Sequence, residues 1–61
     1  MPRFKLNDTL VLNGRRARVV WLRENPNEIQ AMDEYIVEFD DKERQFFVSS
    51  ELEESFLRQS A

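Results

Sequence analysis

The chain has 61 residues and a net charge of −3, and 41% of its residues are hydrophobic. This length allows one small domain, and the absence of cysteine and histidine excludes a disulfide framework and a metal site built from those residues. The apolar content favours a packed core over disorder, so the core or a partner must stabilise the domain.

The longest wholly apolar run is Val19 to Leu22. It is too short for a membrane-spanning helix or a signal peptide, and we expect a complete, cytoplasmic protein. Residues 1–23 carry six basic side chains against Asp8 alone, whereas residues 24–61 carry eleven acids against three basic residues. These two oppositely charged segments can neutralise each other before either meets a partner.

Asn13-Gly14, which contains the only glycine, predicts a tight hairpin turn. A type I′ turn needs positive φ at both central positions, which suits glycine and asparagine. We therefore predict strands over Thr9–Leu12 and Arg15–Arg23. Alternation in the second strand places Ala17, Val19 and Trp21 on one face and Arg16, Arg18, Val20 and Leu22 on the other. Trp21 is thus expected in the core or at its edge, with a ligand cage beside Tyr35 as the alternative.

The rest of the chain predicts two further strands and a short ending. Residues 24–34 are expected to form a loop, in which one helical turn is possible from Asn25 to Ala31. A third strand is predicted with Tyr35, Val37 and Phe39 facing inward, followed by a turn over residues 40–43 and a fourth strand over Arg44–Val48. The sequence SSELEE has the spacing of a capping box, which predicts one helical turn carrying Leu52 to the core. Residues 55–57 could close a fifth strand, and residues 58–61 are expected to fray.

The stretches NDTLVLNGRRARVV and YIVEFDDKERQFFVSSELE, within residues 5–57, resemble the SH3-like small barrels of the Tudor-like and KOW-like kind. The resemblance implies an all-β fold, a five-stranded barrel with one short helical turn before the last strand. The chain lacks the glycine-centred basic signature of KOW domains, and the aromatic cage of chromatin Tudor domains cannot be identified in it. A small barrel protein of photosystem I and the plasmid-type dihydrofolate reductases look similar at this level.

The chemistry-bearing residues do not predict an enzyme. The chain has no histidine or cysteine for acid–base or nucleophilic work, and no glycine-rich loop to hold phosphate. The plasmid-type reductases are the only enzymatic lead, and the segment RQFFV does not reproduce the strand that lines their pore. Asp40, Asp41 and Glu43 could bind a divalent cation, but an acidic turn that keeps a sheet edge soluble is the preferred interpretation. We predict no cofactor, no metal and no small-molecule substrate.

The basic second strand raises the alternative of an RNA- or DNA-binding barrel. Phosphate binding needs unpaired cations, and the candidates are Arg15, Arg16, Arg18 and Arg23. If the second and third strands pair antiparallel, however, Arg16 and Arg18 are expected to lie opposite Glu38 and Asp40. The arginines would then be used internally, and the acidic chain lacks the basic field of a typical nucleic-acid binder.

The favoured function is a small non-enzymatic binding or accessory module that docks on a protein partner or self-associates. Alternation is expected to turn Phe46 and Val48 inward and Phe47 outward. The predicted partner surface consists of Phe47, Ile36 and Leu22. The alternative is that the 25–34 loop covers Phe47 through Ile29 or Met32.

Overall fold

The computed structural model describes the backbone of residues 4–60 and the side chains of residues 4–55. Its elements, in chain order, are β1 (Thr9–Leu12), β2 (Arg15–Arg23), a 3-10 turn (Gln30–Met32), β3 (Glu34–Phe39), β4 (Arg44–Val48) and α1 (Ser49–Ser60). The strands form one antiparallel sheet in the order β1-β2-β3-β4, so each strand pairs with its neighbours along the chain. The fold is therefore mostly β, an open four-stranded sheet with one helix.

The end of the chain differs from the predicted fifth strand. Residues 55–57 lie within the twelve-residue helix α1, so a five-stranded closed barrel is not formed by the described residues. The Glu51 carboxylate accepts a hydrogen bond from the Val48 N–H at 3.2 Å, which satisfies a backbone donor where the helix begins. Glu, Leu, Arg and Gln then favour helix over strand. Of the tail that was expected to fray, residues 58–60 continue the helix, and Ala61 lies outside the described residues.

Both tight turns of the sheet use left-handed backbone. The predicted hairpin is confirmed, because Asn13 and Gly14 have φ of 52° and 77° and Leu12 pairs with Arg15. In the β3–β4 turn, Lys42 has φ of 74°. The Lys42 N–H donates to the Phe39 carbonyl at 2.9 Å, and the Phe39 N–H donates to the Glu43 carbonyl at 2.8 Å. These bonds fix how β4 is set against β3.

The core lies on one side of the sheet, which we call the inner face. Its buried members are Phe4, Leu10, Leu12, Ala17, Val19, Tyr35, Val37, Phe39 and Leu52. The predictions for β3 and for Leu52 are therefore confirmed. Tyr35 is wholly buried, stacks edge-on against Phe4 with ring centroids 5.6 Å apart, and accepts a hydrogen bond from the Phe4 N–H at 3.3 Å. Helix α1 supplies Leu52 and covers this side.

The second half of β2 faces opposite to the prediction. The pairing of β2 with β3 shifts between Val19 and Trp21, where a β-bulge inserts one residue. An extra residue inverts the side-chain alternation beyond it. Trp21 is therefore 41% exposed on the other side of the sheet, which we call the outer face, and Leu22 packs against the core. The placement of Trp21 in the core was wrong, and so was the outward placement of Leu22.

The two adjacent phenylalanines of β4 are also reversed. The register sets Phe47 opposite Tyr35 and Phe46 opposite Ile36. Opposed residues of an antiparallel pair share a face, so Phe47 follows buried Tyr35 inward and packs against the core. Phe46 is 52% exposed. Phe46 and Val48 do share a face, as predicted, but it is the outer one.

Asp33 connects the loop before β3 to the start of the helix. Its buried carboxylate accepts a hydrogen bond from the Asn25 N–H at 2.7 Å, and its backbone carbonyl accepts one from the Ser49 N–H at 2.7 Å. On the outer face, Trp21 and Phe46 stay exposed among the described residues. Within the described residues, no helix is long and apolar enough to cross a membrane.

Candidate interaction face of the sheet

An apolar row crosses three strands on the outer face. Trp21 of β2, Ile36 of β3 and Phe46 of β4 lie directly opposite one another in the sheet register, and we call these three residues the apolar row. Trp21 and Phe46 are 41% and 52% exposed, and Ile36 between them is half-buried. Adjacent strands are about 4.8 Å apart, so the row spans about 10 Å. Large apolar side chains lined up on an uncovered sheet face are typical of an interaction site.

The row exists because two backbone irregularities act together. The β2 bulge turns Trp21 outward, and the β3–β4 turn sets the register that places Phe46 outward. Without the bulge, strict alternation would have put Trp21 on the same face as Val19. Sequence reasoning therefore missed Trp21 and Phe46 as surface residues. The adjacent pair Phe46-Phe47 did signal that one aromatic ring had to leave the core.

The predicted partner surface is only partly assembled. Ile36 lies on the outer face, as the prediction required, whereas Phe47 and Leu22 pack against the core on the inner face. These three residues therefore do not form one surface. The loop that was the alternative cover for Phe47 leaves Ile29 and Met32 exposed, at 47% and 54%.

The arginines of β2 divide into two paired and two unpaired side chains. Arg15 contacts Asp41 at 3.1 Å and Glu43 at 3.4 Å, and Arg23 contacts Glu34 at 3.8 Å. Arg16 and Arg18 are exposed on the outer face, and no carboxylate of the described residues lies within 4.0 Å of either guanidinium. Only half of the predicted nucleic-acid-binding set is thus available to a ligand.

The expected cross-strand neutralisation of these arginines takes a different form. Arg18 does lie opposite Glu38 in the register. The Glu38 carboxylate instead accepts a hydrogen bond from the Arg44 Nε at 3.0 Å, from the strand on its other side. Asp40 pairs with neither Arg16 nor Arg18 in the described part of the chain. The outer face therefore combines the apolar row with two arginines that form no ion pair within the described residues.

The acidic turn is held by contacts within the protein. Arg15 bridges Asp41 and Glu43, and its guanidinium carbon lies 4.0 Å from the centroid of the Phe39 ring. Asp41 also accepts a hydrogen bond from the Glu43 N–H at 3.1 Å. No group of three or more acidic, histidine or cysteine residues placed to hold a metal ion occurs within the described residues. These carboxylates stabilise the end of the β3–β4 hairpin.

Comparison of the chain with models of known protein families, with curated proteins and with solved structures gave no match.

Proposed function

We propose that this chain is a small non-enzymatic module that binds a protein partner on the outer face of its sheet. The observation that carries the proposal is the apolar row, in which exposed Trp21 and Phe46 flank Ile36. Tryptophan, phenylalanine and arginine are enriched where proteins bind each other, and buried aromatic anchors supply much of the binding energy. The proposal also includes the relationship to SH3-like barrels and a cytoplasmic location.

The charges beside the row indicate the chemistry of the partner. Arg16 and Arg18 are exposed on the same face and lack a carboxylate within 4.0 Å among the described residues. A partner segment with an apolar anchor and flanking carboxylates complements this arrangement. A second copy of the outer face carries the same two positive charges, so face-to-face self-association is disfavoured.

Nucleic acid is the second candidate, because exposed aromatic rings beside arginines can stack bases and neutralise phosphates. If only two arginines contact phosphates, the logarithm of the binding constant would fall with the logarithm of the salt concentration with a slope of only about −2. The net charge of −3 opposes a polyanion, whereas a short acidic peptide meets only the local positive charge. The geometry therefore supports a protein ligand better.

Trp21 provides a direct test, because it is the only tryptophan of the chain and lies in the row. We would titrate the protein with an acidic peptide that carries a central leucine, with the same peptide bearing lysines for glutamates, and with a short single-stranded oligonucleotide. The acidic peptide is expected to shift the Trp21 emission to shorter wavelength and to bind about tenfold tighter than the lysine peptide.

Matched variants show whether the outer face is responsible. Phe46→Ser is expected to weaken peptide binding, whereas Ile29→Ser, at a 47% exposed residue of the loop before β3, should leave it unchanged. The double variant Arg16→Glu with Arg18→Glu should prefer the lysine peptide. A protein that binds the oligonucleotide tightly and neither peptide would replace this function with nucleic-acid binding.

A further inference from the structure

The second surface of interest is the outer edge of β4, which is an end strand of the described sheet. The Phe39 N–H donates to the Glu43 carbonyl, and antiparallel pairing alternates from that point along the ladder. Gln45 and Phe47 therefore bond to β3. The backbone N–H and C=O groups of Arg44 and Phe46 point away from it.

The open part of this edge is confined to those two residues. On one side of them, the Lys42 N–H is already donated to the Phe39 carbonyl. On the other side, the Val48 N–H is donated to the Glu51 carboxylate. Arg44 and Phe46 thus present two donors and two acceptors without partners in the described sheet, bounded at both ends by satisfied donors.

The β4 edge lacks several of the features that protect sheet edges against strand addition. At the β1 edge, a strand of only four residues packs against α1, and both features hinder addition of another strand. β4 keeps an unbroken register with β3 and contains no proline or glycine. Its one charged side chain, Arg44, is matched by Glu38 within the same sheet. β4 therefore lacks a bulge, a proline and an unmatched charge, although it is itself a five-residue strand and also contacts α1.

We propose that β4 pairs antiparallel with β4 of a second copy of this chain, in the register that sets Arg44 opposite Phe46 of that copy. This register forms four backbone hydrogen bonds and uses every open group of both strands. Setting Arg44 opposite Arg44 would oppose two like charges and leave Phe46 unpaired. Setting Phe46 opposite Phe46 would direct Arg44 to Val48, whose N–H is already donated.

The side chains agree with this register. On the outer face, the Arg44 guanidinium of one copy lies beside the Phe46 ring of the other, which is a favourable cation–aromatic pair. On the inner face, Gln45 meets Gln45 at the two-fold axis, where two amides can hydrogen-bond each other. The pairing uses neither Trp21 nor Arg16 and Arg18 and shares only Phe46 with the apolar row, two copies of which it would place on one continuous sheet.

Position 45 makes the register testable, because it is the only residue of β4 that faces itself in this arrangement. Gln45 is exposed, so Gln45→Lys and Gln45→Glu should both fold, which circular dichroism checks. We would measure the association of each protein by sedimentation up to about 1 mM. The unaltered chain is expected to dimerise, and each variant alone should dimerise about fivefold more weakly because like charges meet at the axis.

Mixing the two variants is the decisive step. A mixture of Gln45→Lys and Gln45→Glu is expected to form a heterodimer at least as tight as the unaltered dimer, as seen by native mass spectrometry. In either rejected register position 45 faces residue 43 or 47, so mixing would restore nothing. The same two substitutions at Thr9, on the β1 edge, should leave dimerisation unchanged.

Amide hydrogen exchange supplies a second readout that does not depend on the variants. Protection of the Arg44 and Phe46 amides is expected to rise with protein concentration, while the Val11 amide at the other edge stays constant. A chain that remains monomeric at every concentration, or a mixture that remains monomeric, overturns the proposal. Protection that appears only when the acidic peptide is added also overturns it and assigns the edge to a partner strand.

Discussion

The inner and outer faces of the sheet are built from the same strands but have opposite surroundings. Tyr35 and Phe47 point to the side covered by α1 and belong to the core or pack against it. Their sequence neighbours Ile36 and Phe46 form an equally apolar pair on the side that no described helix covers. The comparison shows that apolar alternation does not by itself tell which face is the core. The covering element decides it, and the large side chains of the other apolar face stay exposed in Trp21 and Phe46.

The substitutions Tyr35→Ala and Ile36→Ala are expected to give the largest difference in stability between the two faces. Tyr35 is wholly buried and contacts Phe4 through its ring and its hydroxyl, so we expect a loss of about 3–5 kcal/mol in the free energy of unfolding. That loss is enough to unfold so small a domain. Ile36→Ala should cost about 1 kcal/mol. Equal losses in urea denaturation would mean that the two faces are not distinct.

The adjacent phenylalanines give the next largest contrast. Phe47→Ala should lower the free energy of unfolding by about 2 kcal/mol, because the ring packs against the core. Phe46→Ala should cost less than about 1 kcal/mol, since it loses mainly a cross-strand contact with Ile36. Thermal melting of the two variants measures the difference. If Phe46→Ala proves the more damaging change, the β4 register is off by one residue.

Substitutions at Gly14 test how much the left-handed hairpin turn between β1 and β2 contributes to stability. Gly14 has φ of 77°, and the space that a β-carbon would enter there is open, so Gly14→Val meets backbone strain rather than a clash. We expect a loss of about 1–2 kcal/mol. Gly14→Asn should cost less, because asparagine tolerates positive φ. Unchanged melting of Gly14→Val would show that the left-handed turn does not contribute to stability.

The smallest expected effect concerns the charges of the outer face. A double-mutant cycle between Arg44 and Glu38 should show a favourable coupling of about 0.3–0.5 kcal/mol that weakens with salt, because Arg44 is well exposed. The same cycle between Arg18 and Glu38 should give a coupling near zero. A strong Arg18 coupling would show that this arginine is neutralised within the sheet and is not available to an acidic partner.

The sequence predicted the strands far better than their orientations. Local signals suffice for the strands, since Asn13-Gly14 and the runs of β-branched and aromatic residues act over a few positions. Orientation in β2 depends on the bulge beside Val20, which arises from how β2 meets β3 and leaves no mark in the local pattern. One inserted residue moved Trp21 from its predicted place in the core to the candidate site.

The prediction for the end of the chain was wrong for a related reason. Residues 55–57 alone are typical of a short strand, but they follow a helix start at Ser49 whose propagation is favourable once begun. The resemblance to a five-stranded barrel reinforced the wrong choice there. Of the candidate site, only Ile36 belonged to the predicted partner surface, and Arg16 and Arg18 were named only for the nucleic-acid alternative. Trp21 and Phe46 required the three-dimensional register.

The sequential order of the strands also has a kinetic consequence. Because every strand pairs with a chain neighbour, the sheet can grow by joining hairpins that close only short loops. The contact of Phe4 with the Tyr35 hydroxyl spans 31 residues and closes a much longer loop. We expect the contact between Phe4 and the Tyr35 hydroxyl to form after the folding transition state. Tyr35→Phe should therefore accelerate unfolding in stopped-flow experiments and leave the folding rate nearly unchanged. The stability of the core and the speed of its assembly would then depend on different contacts.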